Sequence, residues 1–143
     1  MNDNDAIERL KWHSHSQAEI SGGWTFLTTP LTSTSWDGDA RSDESPTLID
    51  LSSVFSAPAG IKAILARLAC RDSATLGTTG MYSNIGPDET YNYQMSCVPV
   101  GGDVINSITG ICTCNIDGDI YYRINASGSS TMDVWLEIWG YYV

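Results

Sequence analysis

Apolar and polar residues alternate along the last strand-like segment of the chain, DVWLEIWGYYV, residues 133–143. Side chains of an extended strand point to opposite faces in turn. One face of this segment then carries Val134, Leu136, Ile138 and Tyr142. The other face carries large aromatic residues beside Asp133 and Glu137, namely Trp135, Trp139 and Tyr141. Because an exposed edge strand with two apolar faces would invite aggregation, this segment is predicted to lie centrally in a sheet.

Shorter alternating segments recur from Trp24 onward, with turn residues between them. Those that fit β-strands are WTFLTT, TLIDLSSVF, MYSNIG, YNYQMSCVPV, DVINSITGICTCNI and DIYYRINA. Asp117-Gly118 between the last two predicts a two-residue β-hairpin, whereas STSWDGDARSDESP predicts a long polar loop. Many short strands without a repeat or a βαβ rhythm indicate an all-β fold, an antiparallel β-sandwich that is jelly-roll-like, over residues 24–143.

Residues 1–23 differ from this pattern. They are polar, with a weak helical period, and the SGG sequence at Ser21 to Gly23 ends them. We interpret them as an N-terminal anchoring arm whose apolar residues, Ile7, Leu10 and Trp12, contact another protein. The segment lacks the apolar stretch of a secretory signal, and no run of about 18 apolar residues occurs elsewhere. Synthesis in a cytoplasm, without membrane insertion, is therefore expected.

Composition narrows the function classes. The chain has 143 residues, 42% of them hydrophobic and 17% charged, which predicts one folded domain with one core. Its formal net charge is −10 and its seven Lys and Arg residues form no cluster. Nucleic acids and anionic membranes are therefore not expected partners, because both attract cationic surfaces.

Candidate catalytic and metal-binding residues are few. The carboxylates of the two Asp-Gly-Asp sequences, at Asp37 and Asp117, could serve glycoside hydrolysis or bind calcium, but Asp in such turns usually stabilises the loop itself. Four cysteines could bind zinc, although without a knuckle-like spacing we expect buried, reduced thiols. The four are Cys70, Cys97, Cys112 and Cys114. No enzymatic activity and no cofactor are expected.

Two blocks of the chain, WDGDARSDESPTLIDLSSVFSAPAGIKAILARLACRDS and GDIYYRINASGSSTMDVWLEIWGYYV, resemble the small β-sandwich domain of tailed-bacteriophage virion proteins. The resemblance covers Trp36 to Val143. The pattern within residues 61–71 fits either a helical stripe that includes Ile61 and Leu65 or a strand face that includes Ala66 and Cys70. In the family, the PAG sequence leads into a strand, so the resemblance implies a strand here.

The family also implies a location and an assembly. We expect a virion protein, exposed on the particle surface, that forms a homotrimer and contacts other virion proteins of the capsid or tail. A head decoration or head-fibre component is preferred over a tail fibre or receptor-binding adhesin, because residues 1–23 are too few for a fibre shaft. Trp135, Trp139 and Tyr141 would lie at the subunit interface, unless the other sheet or the arm covers them.

Two further sites are expected on such a protein. His13 and His15 resemble the His-x-His motif with which some phage fibres bind a metal ion on the trimer axis, although solvent-exposed or interface histidines would have the same sequence. Four aromatic residues in or near loops could stack on sugars of a host-surface carbohydrate, or could pack beneath the loops instead. These are Trp36, Tyr82, Tyr91 and Tyr93.

Overall fold

A computed structural model describes residues 22–143, and its regular secondary structure is almost entirely β-strand. The strands are β1 (Trp24–Leu31), β2 (Asp37–Arg41), β3 (Glu44–Ile49), β4 (Ala63–Asp72), β5 (Tyr82–Gly86), β6 (Met95–Cys97), β7 (Asn106–Thr113), β8 (Ile120–Asn125) and β9 (Met132–Tyr142). A 3-10 turn at Thr34–Trp36 precedes β2, and a short helix, α1 (Leu51–Phe55), follows β3. No helix in this range has the length and apolarity needed to cross a bilayer.

The strands form two antiparallel sheets in a jelly-roll arrangement. A five-stranded sheet has the order β1-β9-β4-β7, with β2 also paired to β9, and a four-stranded sheet has the order β3-β8-β5-β6. Counted from β2 onward, each early strand pairs with its counterpart from the end of the chain: β2 with β9, β3 with β8, β4 with β7 and β5 with β6. This is a long hairpin wrapped around a core, which confirms the predicted sandwich.

The last strand, β9, lies in the centre of the five-stranded sheet, as its sequence predicts. It pairs with β4 along one side and with β1 and β2 along the other. Its inward-facing residues Met132, Val134, Leu136 and Ile138 are all completely buried. Because neighbouring strands satisfy its backbone groups on both sides, β9 offers no free edge for aggregation.

A β-bulge interrupts the alternation of β9 near its end. Ile138 lies opposite Ala66 and Gly140 lies opposite Leu65, so that Trp139 is an extra residue. Beyond the bulge the two faces are exchanged. Tyr141 therefore packs against the core, and the predicted face assignments of Tyr141 and Tyr142 are wrong.

The segment that fitted both a helix and a strand is β4, a strand of ten residues, as the family resemblance implied. Ile64, Ala66, Leu68 and Cys70 face the core and have no exposed surface. Leu65 and Arg67 alternate with them on the outside and are only partly buried. The small side chain of Ala66 allows the two sheets to approach closely at this point, while Ile64 and Leu68 fill the space beside it.

Three sequence predictions of local structure are corrected. The segment TLIDLSSVF contains a strand end and then α1, because the Asp50 side chain caps a helical turn by accepting a hydrogen bond from the Ser53 N–H at 2.9 Å. Leu51 and Phe55, one turn apart, both enter the core. The predicted long polar loop contains β2, and YNYQMSCVPV forms a strand only over its three central residues, β6.

Asp117-Gly118 forms a turn but not the predicted hairpin, because β7 and β8 belong to different sheets. The turn is held by Asn115, whose side-chain oxygen accepts hydrogen bonds from the backbone N–H groups of Asp117 and Asp119 at 3.0 and 2.9 Å. Gly118 adopts a positive φ of 89° and packs against the backbone of Gly60. This turn therefore carries the chain from one sheet to the other.

Candidate functional site

The outward surface of the five-stranded sheet carries several large apolar and aromatic side chains that are exposed or only partly buried. We call it the outer aromatic face and define it by Trp24, Phe26, Leu65, Ile111, Trp135, Trp139 and Tyr142. Strand register aligns these residues in rows, because partners in a ladder share a face. One row crosses the whole sheet, from Phe26 through Gly140 and Leu65 to Ile111.

The apolar end of this face is the most exposed. Phe26 has 69% of its surface exposed and Ile111 has 54%. The Trp24 ring stacks on Phe26 at a centroid distance of 6.0 Å and leans on Tyr142 at 5.7 Å. Gly140 brings these rings close to the strand, since a Cβ there would lie 3.4 Å from the Phe26 ring. Large rings that stack on one another while still facing solvent form a continuous apolar patch.

Charged side chains cross the middle of the face in two pairs. Arg67 Nη1 lies 3.4 Å from Glu137 Oε1, and Arg71 Nε lies 2.6 Å from Asp133 Oδ2. Glu137 also accepts a hydrogen bond of 3.1 Å from the indole N–H of Trp139. Each of these four charges therefore has an opposite partner within the chain, so the two pairs add polarity to the face without adding net charge.

Trp135 is partly covered by its own chain. Its indole lies against Gly38 of β2, where an added Cβ would come within 2.7 Å of the ring. On the other side the Arg71 guanidinium lies 5.7 Å from the ring centroid. Of the three residues predicted for the subunit interface, Trp135 and Trp139 thus share the outer aromatic face, whereas Tyr141 does not.

A second candidate site is a shallow apolar cleft of about 390 Å³ in the loop between β5 and β6. It is lined by Pro87, Tyr91, Tyr93 and Gln94, and we call it the tyrosine cleft. Tyr91 and Tyr93 are each 59% exposed, with ring centroids 6.4 Å apart and planes inclined by 57°. Two tilted aromatic faces beside an amide are a surface on which a sugar ring can stack.

The loop that forms the cleft is held at several points. Asp88 Oδ1 accepts hydrogen bonds of 2.8 Å from the backbone N–H groups of both Thr90 and Tyr91. Gln94 Oε1 accepts a hydrogen bond of 2.6 Å from the Thr113 N–H of β7. The Tyr91 carbonyl lies directly on Gly86, where an added Cβ would stand only 1.8 Å away. The tyrosines are therefore presented by a fixed backbone rather than by a loose loop.

The other two aromatic residues predicted for carbohydrate binding lie elsewhere. The prediction is wrong for Trp36, which is 5% exposed and packs edge-on against Tyr122 with ring centroids 4.7 Å apart. The Arg41 guanidinium covers the Trp36 ring at 3.8 Å. Burial, with a hydrogen bond to Glu44, raises the pKa of Tyr122. Tyr82 begins β5, at the opposite end of that strand from the cleft.

The second Asp-Gly-Asp sequence lies in a turn that stabilises the fold, as expected, whereas the first lies in strand β2 and not in a turn. Asp119 Oδ1 accepts a hydrogen bond of 3.0 Å from the Leu51 N–H and so fixes the start of α1. Within residues 22–143, no three His, Cys, Asp or Glu side chains cluster closely enough to hold a metal ion. The anchoring residues Ile7, Leu10 and Trp12 and the histidines His13 and His15 lie outside the described residues.

Sequence reasoning missed the most exposed members of the outer aromatic face. Trp24 and Phe26 stand two apart in WTFLTT, which is the signal that both lie on one side of a strand. Which side faces the core was not readable from so short a segment. Ile111 was missed because the more apolar residue of a strand is normally assigned to the core, whereas here its neighbour Cys112 is the one that faces inward.

Comparison of the sequence with protein-family models and with curated proteins gives no match. The geometry of these two surfaces and the sequence resemblance are therefore the evidence on function.

Proposed function

We propose that this protein is a non-enzymatic structural component of a tailed-bacteriophage particle, a surface-projecting head decoration or head-fibre subunit. It assembles as a homotrimer through the outer aromatic face, and residues 1–23 anchor it to another virion protein. The observation that carries the proposal is the exposure of Phe26 and Ile111 within one aromatic surface. The sequence resemblance provides the phage context, and jelly rolls occur among viral capsid domains.

Energetics favours covering this face with a second copy of the chain. Burying a Phe, Ile or Leu side chain contributes about 1.5–3 kcal/mol, and aromatic residues are enriched at the centres of protein interfaces. In a closed ring each copy contacts one neighbour on either side, so different parts of the face are buried against the two neighbours and no apolar surface stays exposed. The internally paired Arg67–Glu137 and Arg71–Asp133 charges would not repel an identical partner.

Assembly is tested with charged substitutions at the most exposed positions. Phe26→Asp and Ile111→Asp place a carboxylate in the proposed interface, and each should convert a trimer to monomers with little change in fold. Ile116→Asp is the matched control, because Ile116 is 98% exposed and lies off this face. Mass in solution would be measured by light scattering or sedimentation. A trimer that survives both face variants, or a monomeric parent protein, would remove the outer aromatic face from the proposal.

The location is tested on particles. Antibody against this chain, imaged by electron microscopy, should label intact virions at regular sites on the head. Label at the tail tip would favour the adhesin described next. Virions that carry neither label nor this chain by mass spectrometry would refute the phage assignment itself.

The tyrosine cleft favours a second candidate function, a tail fibre or adhesin that binds a host-surface glycan. Its rings are exposed yet held by a fixed backbone, so little conformational freedom would be lost on binding. Jelly rolls also occur among lectin domains, although a shared fold does not by itself imply a shared function. The Gln94 side-chain oxygen is hydrogen-bonded to Thr113, but its amide nitrogen adds a hydrogen-bond donor beside the rings, of the kind that fixes the orientation of a sugar.

Binding is tested with purified protein on bacterial cells and on a panel of bacterial surface polysaccharides. Tyr91→Ala and Tyr93→Ala should each weaken binding roughly fivefold or more, since each removes an aromatic platform worth about 1 kcal/mol or more. Tyr82→Ala, outside the cleft, should leave binding unchanged. Equal losses in all three variants, or no binding by the parent protein, would exclude the cleft as a glycan site.

A further inference from the structure

Two cysteines from opposite sheets meet in the core. Cys70 lies on β4 of the five-stranded sheet and Cys97 ends β6 at the edge of the four-stranded sheet. Their sulfur atoms are 3.1 Å apart, and both residues are almost completely buried. No other side chain needs to move aside for the two sulfur atoms to come closer, because they already touch.

The surroundings favour a reaction between these two thiols. The Cys70 S–H donates a hydrogen bond to Cys97 Sγ, and this lowers the pKa of Cys97 with further help from the Arg67 charge. The same contact and burial raise the pKa of Cys70. Cys97 is thus the member of the pair with greater thiolate character. The thiolate is the reactive form of cysteine, so Cys97 is placed to attack first.

The remaining cysteines do not share this arrangement. Cys112 lies opposite Ile64 on β4, several residue pairs along the ladder from Cys70. Burial raises the pKa of both Cys112 and Cys114 to about 12, which leaves them almost entirely protonated at neutral pH. Selective oxidation would therefore involve one pair of the four thiols.

We propose that Cys70 and Cys97 form an inter-sheet disulfide when the folded chain meets a low-molecular-weight disulfide. The Cys97 thiolate attacks one sulfur of the oxidant, forms a mixed disulfide and releases one small thiolate. Cys70, after losing its proton, attacks Cys97 Sγ and releases the second small thiolate. The protein gives up two protons and two electrons, and the oxidant is reduced to two thiols. Closing the bond shortens the sulfur separation to about 2.05 Å.

The cross-link would stabilise β6, the short strand at the edge of the four-stranded sheet. β6 has only three residues and pairs with β5 alone within its sheet, so few backbone hydrogen bonds hold this edge. The disulfide would fasten it to β4, which has partners on both sides. It would also fix the chain just after Gln94 of the tyrosine cleft. The short edge strand offers the route of access, since opening β6 locally exposes Cys97.

The test uses the full chain and oxidised glutathione. One sample stays folded, while a second is unfolded and refolded in the same buffer so that burial cannot prevent the reaction. Both should lose two of their four thiols, and a non-reducing peptide map should link Cys70 to Cys97. The midpoint of thermal unfolding should rise by roughly 10 °C, because the cross-link closes a loop of nearly thirty residues, and a reducing agent should reverse the rise.

Two variants complete the test. Cys112→Ala should keep both the cross-link and the thermal shift, whereas Cys97→Ala should lose both. Any one of three results would overturn the proposal: four thiols retained in the folded sample, a link between another pair, or a thermal shift that persists in Cys97→Ala. The peptide map of the unmutated chain decides the matter even if a variant does not fold.

Discussion

On the inner face of β9, Met132, Val134, Leu136 and Ile138 have no exposed surface, whereas Trp135 and Trp139 on the outer face are only half-buried. The second sheet covers the inner face completely. On the outer face, Gly38 of β2 covers part of Trp135, and paired charges occupy the rows between the rings. The same strand therefore has one surface that the chain completes by itself and another that it leaves available.

Because of this difference, the inner face of β9 contributes to folding of the single chain, whereas the outer face can contribute to association between chains. Buried apolar area on the inner face stabilises the single chain, and its removal also leaves a cavity. The apolar area that stays exposed on the outer face, chiefly on Phe26 and Ile111, contributes little to the single chain because it is still in contact with water. It becomes a source of free energy only when a partner covers it. Variants of the two faces should therefore change different measured quantities.

The largest effect is expected from Leu136→Ala. The side chain is completely buried, so its truncation should lower the free energy of unfolding by about 2–5 kcal/mol. Leu65→Ala, on the outer face of the neighbouring strand β4, should cost less than about 1 kcal/mol. Both are measured by urea unfolding in the Phe26→Asp background, in which we expect the chain to be monomeric. Equal costs would mean that the two faces are not energetically distinct.

The next largest effect concerns Asp72, a buried carboxylate at the end of the inner row of β4. It accepts hydrogen bonds from the Ala74 N–H at 2.9 Å, the Ser127 N–H at 3.1 Å and the Thr131 hydroxyl at 3.2 Å, and another from the Ser127 hydroxyl. These bonds fasten the β8–β9 connection to β4. Asp72→Asn cannot accept all of them and should cost about 1–3 kcal/mol.

Acid should reveal the same carboxylate. Burial alone would raise the pKa of Asp72, but its hydrogen bonds from Ser127, Ala74 and Thr131 outweigh burial and hold the pKa below the ordinary value of 3.8. Since the folded state favours the ionised form, this contribution is present above pH 3.8 and is lost as the pH falls through the lower folded value. Between pH 5 and pH 2, the free energy of unfolding of the parent should therefore fall more than that of Asp72→Asn. The measurement is urea unfolding at a series of pH values in this range. Parallel curves would contradict this role.

Much of the fold was predictable because its cause is local. The period-two pattern of β9 identified its inner row up to Ile138 and its central position in the sheet. The bulge at Trp139 was not identified, although a glycine inside a strand, here Gly140, is a recognised signal of one. Asp117-Gly118 misled for a different reason. A turn sequence fixes local backbone angles, but which strands pair is decided by distant partners in the core.

The candidate sites were less predictable for the same reason. Trp36 and Tyr91 both follow polar loop sequence, yet one ring is buried under Arg41 and the other is exposed. Their difference arises from β2, whose pairing with β9 carries Trp36 onto the core. Likewise the contact between Cys70 and Cys97 depends on two sheets meeting at one edge. Alternation within either segment could show only that each cysteine points inward.

The smallest effect on the free energy of unfolding is expected from the charge pair Arg67–Glu137. The coupling energy between these two side chains also reports whether water reaches the outer face. Arg67 is 36% exposed at its side chain and Glu137 is 26% exposed. A pair so accessible to water should have a coupling energy of about 0.2–1 kcal/mol, and added salt should reduce it. The measurement is a double-mutant cycle of Arg67→Ala and Glu137→Ala in the monomeric Phe26→Asp background. The cycle cancels the hydrogen bond that Glu137 separately accepts from Trp139.

The same cycle in the assembled protein then sharpens the comparison of the two faces. If a second copy removes this row from water, each single substitution leaves an unpaired charge in the interface, and should weaken association by about 3–5 kcal/mol. The double substitution should weaken it less than the two single ones together. If the coupling stays below about 1 kcal/mol in both backgrounds, water still reaches Arg67 and Glu137 after assembly. The subunit contact would then be confined to the apolar end of the face, around Phe26 and Ile111.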